Sequence, residues 1–348
     1  MEALDINIRE LASLAGVSIA TVSRVINNPQ LVQPDTREHV LEVMRRVNYA
    51  PAWTVESRLS GRSRLIAFLF SEKDYYFYSS IRDGLESIVG LRGYTVLYCP
   101  IEAEPQRRSQ QLKTIFEQKL DGAIWALRDF HPEDIRMIDE RQVPLVLARK
   151  YDSAPADRYN CCYINFAEAS YRMTRHLLEM GHRRIGLMFE NVSQQFIKSF
   201  CQGWERALRE EQAPIEDDLL LNAPNTMQGG YTKAVELLER GEMPEAVFCA
   251  SDEQAFGVLK AAHEKGVPVP EQLAVAGFTD SPMSNLCDPE LTTIDLPIYR
   301  LGIIAARMLF DVIEDTGSEV TPGEVVLQPK LRIRRSCGNE KPINVLFE

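Results

Sequence analysis

The sequence predicts a small helix-turn-helix domain joined by a short connector to a larger, two-lobed α/β body with parallel sheets. Three observations carry this. Apolar residues between Ile8 and Asn27 fall at helical spacing on either side of a glycine. From Leu65 onward, short apolar runs alternate with amphipathic stretches, the pattern of parallel sheets covered on both faces. The alternation runs to Ala148 and restarts at Ala167, so two sheets follow one another.

Composition sets the outer limits. A chain of 348 residues is too long for one ordinary core and suits two or three domains. Hydrophobic residues make up 45%, ample for cores, yet no apolar run is long enough to cross a bilayer. The opening Met-Glu-Ala-Leu-Asp has no basic region and no signal peptide, so a cytoplasmic protein without a membrane partner is expected. Seven cysteines without metal-ligand rhythm read as reduced thiols. The adjacent Cys161 and Cys162 read as small hydrophobes before they read as a redox switch. Net charge is −11, but residues 1–64 hold eight Arg and no Lys against seven acidic residues, and so escape the acidic bias of the rest. An acidic body discourages non-specific adhesion to DNA, and Arg24, Arg58, Arg62 and Arg64 are candidate phosphate neighbours.

In chain order, Ile8, Leu11, Ala12 and Ala15 form the apolar face of a first helix. Gly16 supplies a tight turn and Ser18 is placed to cap a second helix, whose Val22 and Val25 face inward. Ile19, Ala20, Thr21, Ser23 and Arg24 cover its remaining surface. Small side chains there let a helix approach base edges in a major groove: Arg24 suits a guanine, and the methyl groups of Ala20 and Thr21 suit a thymine methyl. Asn28-Pro29 makes a turn, and Thr36 to Val47 is a third helix with Val40, Leu41, Met44 and Val47 on its apolar side. Pro51 ends it, and Trp53 to Arg64 is a connector.

The body then reads as strand Ile66–Phe70, helix Ser80–Arg92, strand Tyr94–Cys99, helix Pro105–Lys119, strand Gly122–Leu127, helix Pro132–Arg141 and strand Pro144–Ala148. The second series is helix Ala167–Met180, strand Arg184–Phe189, helices Phe200–Glu211 and Met227–Arg240, strand Ala246–Ala250, helix Glu253–Lys265 and strand Leu273–Gly277. No Walker loop, Gly-x-Gly-x-x-Gly, His-Glu-x-x-His or paired-cysteine site is present, so neither a cofactor nor a metal is expected.

The stretch around Gly16 resembles the amino-terminal domain of the LacI family of bacterial transcription regulators. Ala15, Gly16, Val17, Ser18, Thr21, Val22, Ser23, Arg24 and Asn27 match its Ala-Gly-Val-Ser-x-x-Thr-Val-Ser-Arg-x-x-Asn motif. Further matches are Gly181-His182-Arg183-Arg184-Ile185, the segment Pro244 to Gly257, Val275 to Phe278 and Leu291 to Ile294, so the resemblance runs from about residue 6 to 337. It implies a periplasmic-binding-protein-like body crossed three times by the chain. Residues 1–50 are then the DNA-binding domain, 51–64 a hinge and 338–348 a tail. Lobe 1 takes about 65–165 and 296–320, and lobe 2 about 166–295 and 321–337. The resemblance implies a repressor: a homodimer on an imperfectly palindromic DNA operator, controlled by a small ligand between the lobes. In the family a hinge helix enters the minor groove with a small residue and a leucine. Here Val55 stands for the usual Ala and Arg58 for the usual Leu, with Leu59 one residue later as the expected wedge.

The positions that bind effectors in the family depart here from the neutral-sugar pattern. Arg149 stands where an Asp is common, Phe200 where an Arg is common, Ser251 precedes Asp252 in place of Asn, and Thr279 replaces the first Asp before Asp280. Losing carboxylate acceptors and gaining a guanidinium favours a ligand bearing a carboxylate, phosphate or keto group. Tyr75, Phe77, Tyr78 and Phe200 are expected as aromatic walls, and Lys198 as a partial substitute for the missing Arg. An anionic small molecule, a neutral sugar or nucleoside, and no physiological ligand at all are the three alternatives left open. The competing class is an enzyme or transport receptor on the same body, with Ser251, Asp252 and His263 as its set. Yet Asp252 and His263 fall at opposite ends of one predicted helix, and no Gly-x-Ser-x-Gly elbow presents a serine. A secreted receptor would have no use for residues 8–64.

Overall fold

The structure is a computed structural model that describes residues 8–27, 32–47, 62–71, 75–155, 158–190, 195–314 and 322–338. The hinge residues Val55, Arg58 and Leu59 lie outside the described residues, as do the side chains of Asn27, Tyr75 and Phe77. The chain divides into two compact units: the first 64 residues with Lys119–Asp121, and the remainder.

The first unit contains α1 (Ile8–Leu14), α2 (Ile19–Asn27) and α3 (Pro34–Arg46). Leu11, Ala12, Ala15, Val22, Val25, Val40 and Val43 form its buried core, with Met44 and Val47 packed at the edge. The third helix begins two residues before the expected Thr36, at Pro34, where a fixed φ and a missing N–H cost nothing. Its inner face is also rotated slightly. Val43 is buried and Leu41, expected inside, is 39% exposed.

The body opens with β1 (Leu65–Ser71), buried in every residue but the first, as a strand covered on both faces must be. Next come α4 (Tyr75–Val89), β2 (Thr95–Ile101), α5 (Pro105–Phe116), β3 (Gly122–Trp125), α6 (Pro132–Arg141), β4 (Leu145–Leu147) and β5 (Asn160–Ile164). The second lobe contributes α7 (Phe166–Glu179), β6 (Ile185–Phe189), α8 (Gln195–Glu210), β7 (Leu220–Asn222), α9 (Met227–Arg240), β8 (Ala246–Cys249), α10 (Asp252–Glu264), β9 (Ala274–Ala276) and β10 (Thr293–Asp295). The chain ends in α11 (Ile298–Glu314), β11 (Glu324–Leu327) and β12 (Lys330–Arg332).

One sheet has the order β11-β5-β4-β3-β1-β2 and the other β7-β6-β8-β9, with every neighbouring pair parallel. The strands β10 and β12 form a separate antiparallel pair. The chain leaves the first sheet after β5, returns to it through α11, and leaves it again after β11. This corrects the expected second-lobe segment from 321. Val325 to Leu327 instead continue the first sheet beside Cys162 to Ile164, with Cys161 N donating to Gly323 O and Asn165 N to Leu327 O. The strands β5 and β7 are absent from the sequence reading, because Asn-Cys-Cys-Tyr-Ile and a three-residue strand carry too little apolar pattern.

Glycines set the closest helix contacts. A Cβ on Gly84 of α4 would collide with the carbonyl oxygen of Tyr299, and one on Gly302 of α11 with that of Ile81. In the second lobe Gly230 of α9 and Gly257 of α10 repeat the arrangement against Gln254 O and Met227 O. Both lobes therefore lean on backbone-to-backbone helix contacts that no larger residue permits.

Candidate DNA-binding and effector sites

In the first unit, Gly16 (φ 62°) makes the turn between α1 and α2, the left-handed conformation that glycine adopts without a Cβ clash. Ser18 caps α2, its Oγ accepting from Thr21 N at 3.0 Å and lying 2.9 Å from Thr21 Oγ1. Val22 and Val25 turn inward, as their spacing predicts. The opposite face presents Ser18, Ile19, Ala20 and Arg24 to solvent, with Thr21 and Ser23 half-buried beside them. A shallow apolar helix face with one long cation is suited to a major groove. His39 of α3, which the sequence reading passed over, lies with Nε2 3.2 Å from Ala15 O and ties α3 to the end of α1.

In the body, the first sheet brings Arg149 to its carboxyl edge. Ala148 N donates to Trp125 O at 2.8 Å, extending the β3–β4 ladder by one residue, so Arg149 emerges just beyond it. Its Nη2 donates to the Tyr78 hydroxyl at 3.1 Å, which in turn donates to Ala126 O at 2.6 Å. The expected aromatic wall is thus partly corrected: the run from Tyr75 starts α4 instead of forming a loop, and Tyr78 is buried beneath Arg149. The half-buried Arg128, three residues beyond β3, is a second guanidinium at the same edge. Sequence reading missed it because the apolar run ends at Leu127 and nothing marks the next residue. The Cys161 thiol donates to Arg149 O at 3.2 Å, and burial pushes its pKa up to about 12. Burial raises the Cys162 thiol as well, which argues against a ready redox pair.

The second lobe assigns different tasks to several predicted effector residues. Phe200 is fully buried and packs against Phe248 and Phe278 at 4.8 and 5.2 Å between ring centroids, so it belongs to the core. Ser251 caps α10, accepting from Gln254 N at 3.2 Å. Asp252 is fully buried and already engaged: Oδ2 accepts from Ser281 N and Ser284 Oγ, and Oδ1 accepts from Thr293 Oγ1 at 2.6 Å. It pins the loop after β9 and has no oxygen turned to a ligand. With His263 eleven residues further along α10, about 16 Å by helix rise, the imagined catalytic set does not assemble.

Lys198 is exposed in the first turns of α8. Thr279 and Asp280 follow β9 with φ of 140° and 52°, strained for non-glycine residues and doubly so for a β-branched threonine. Asp280 accepts from Arg334 Nη2 at 2.6 Å, and Arg332 reaches both Asp280 and Asp295. Arg332 and Arg334 were not foreseen, since their partners lie more than thirty residues away. Among the described residues no group of three His, Cys, Asp or Glu side chains could hold a metal ion, and no helix is long and apolar enough to cross a membrane.

Known proteins agree with this layout. The family model "Bacterial regulatory proteins, lacI family" matches residues 7–52, and "Periplasmic binding protein-like domain" matches residues 174–337. The HTH-type transcriptional repressor PurR of Actinobacillus pleuropneumoniae serotype 3 (strain JL03) is 27% identical over 333 residues, 95% of this chain and 98% of its own. A solved complex of the transcriptional regulator CelR with cellobiose is 28% identical, with a TM-score of 0.71 over 95% of this chain and 99% of that one. The lac repressor dimer bound to operator and the anti-inducer ONPF is 25% identical, with a TM-score of 0.73 over 96% and 99%. A capped, small-faced recognition helix ahead of two parallel α/β sheets, matched along nearly the whole chain, leads to one conclusion: the protein belongs to the LacI family and is a sequence-specific DNA-binding transcriptional regulator.

Proposed function

We propose that the protein is a homodimeric repressor whose grip on an imperfectly palindromic operator is set by a small anionic metabolite, a sugar acid or sugar phosphate, held between the lobes. One observation carries the ligand class. Arg149 stands at the carboxyl edge of a parallel sheet, where open α/β folds bind ligands, with its guanidinium oriented by Tyr78. Arg128, three residues beyond the adjacent β3, adds a second positive group, and Lys198 and Thr279 face the ligand from the other lobe. Ile19, Ala20 and Arg24 read each half-site, Ser18, Thr21, Ser23 and Asn27 support that docking, and Leu59 is the minor-groove wedge beside Val55 and Arg58. Such a regulator works in the bacterial cytoplasm, on the nucleoid. Ligand binding shifts the lobes and with them the spacing of the two connectors, a coupling of about 1–3 kcal/mol in either direction.

A neutral sugar is the second reading, favoured by the cellobiose held by the CelR structure. The test is fluorescence anisotropy of a selected operator fragment at fixed salt, titrated with neutral sugars, nucleosides, sugar acids and sugar phosphates. A change confined to the anions supports the first reading. A change confined to neutral sugars overturns it in favour of the second.

A further inference from the structure

Asp121 ends the turn before β3, and its carboxylate is wholly occupied by the last two residues of the connector. Oδ1 accepts from Ser63 N at 2.7 Å and Ser63 Oγ at 3.0 Å, while Oδ2 accepts from Arg64 N at 2.9 Å. Two consecutive backbone N–H groups converging on one anion form a nest, and the anion here is a side chain of the chain itself. Arg64 has a φ of 57°, a left-handed conformation that a non-glycine residue keeps only where its surroundings enforce it. The next residue, Leu65, begins β1, and Ile66 pairs with Gly122, the neighbour of Asp121. Gly122 in turn lies under Leu309 and Ile313 of α11, the helix that carries the chain back from the second lobe.

We propose that Asp121 is a positioning residue for operator recognition: it holds Ser63 and Arg64 in the one backbone conformation from which the connector reaches DNA, and it transmits to them any shift at the start of β3. This rests on the regulator reading. A residue needed only for folding would not predict its consequences, because β1 and β3 are already paired through residues 66–69 without it. The loss of Asp121 should leave the body intact and release the connector.

The experiment uses the full chain with Asp121→Ala and Asp121→Asn. Three quantities are read: hydrogen exchange of the Ser63 and Arg64 amides, the thermal unfolding midpoint, and affinity for a selected operator duplex beside a scrambled duplex of equal length. In Asp121→Ala the two amides should exchange at least about tenfold faster, as expected for donors that lose a charged acceptor. Operator affinity should fall by about tenfold or more, with scrambled-duplex affinity and the midpoint unchanged. Asp121→Asn, which keeps one acceptor oxygen, should lie between. Unchanged operator affinity, an equal loss on both duplexes, or a lowered midpoint that accounts for the loss would overturn the proposal. A wild-type chain that prefers no duplex would instead remove the regulator reading on which it rests.

Discussion

The Arg149 guanidinium rests on the Tyr78 hydroxyl at 3.1 Å, and the same hydroxyl donates to Ala126 O, so the orientation of Arg149 is set by the backbone at the end of β3. A pre-oriented cation binds an anion with less entropy lost than a mobile one. Arg149→Ala should therefore weaken an anionic effector by roughly 10- to 150-fold, the worth of a hydrogen bond to a charged group. Tyr78→Phe, which removes only the support, should weaken it by about 3- to 10-fold. Both variants should keep the operator affinity of the unliganded protein. Titrating the operator complex with the active ligand checks each value.

Arg24 is the one long cation on the outer face of α2. Arg24→Ala should reduce specific operator affinity by about 1–3 kcal/mol, the discrimination of one good contact to a base pair. Binding to a scrambled duplex should change much less. Equal losses on the two duplexes would make Arg24 a phosphate contact.

Gly302 meets the Ile81 carbonyl at the α4–α11 crossing, and Gly84 meets that of Tyr299 from the other side. Backbone cannot rotate away from a new methyl group as a side chain can. Gly302→Val should destabilise the body by about 3 kcal/mol, the upper range for overpacking. Urea unfolding measures it, with exposed Leu91→Ala as a control that should stay near wild type.

His176 is buried with Nε2 3.1 Å from Cys337 Sγ, and desolvation lowers its pKa, with a smaller opposing effect from Glu179 and a supporting one from His182. The unfolded chain therefore binds a proton here more readily than the folded one. This stability is complete above the unfolded pKa, near pH 6.5, and declines as pH falls below it. The slope from this group is at most about 1.4 kcal/mol per pH unit. His176→Gln should flatten the pH 5–7 stability profile relative to wild type in denaturant titrations. An unchanged profile would assign the acid sensitivity elsewhere.

Local pattern made much of this protein legible. The spacing of Leu11, Ala15, Val22 and Val25, with Gly16 and Ser18 between them, was enough to place two helices, their turn and their cap, because all these interactions close within a few residues. The same holds for β1, whose short, continuous apolar run suits a doubly covered strand. Gly257 was readable as a motif glycine, though only the Met227 carbonyl across the helix crossing explains it. The candidate effector residues were the least legible. Sequence placed Phe200 and Asp252 beside a ligand, but their surroundings come from elements distant along the chain: Phe248 and Phe278 for the ring, Ser281, Ser284 and Thr293 for the carboxylate. The engagement of Asp121 with Ser63 and Arg64, and the place of β11 beside β5, were decided in the same way. Sequence alone determined the helices and strands whose periodicity, capping or continuous apolar run is strong, since those signals close within a few residues. Tertiary structure alone decided which polar groups are left to meet a ligand, since burial and long-range hydrogen bonds consume the others.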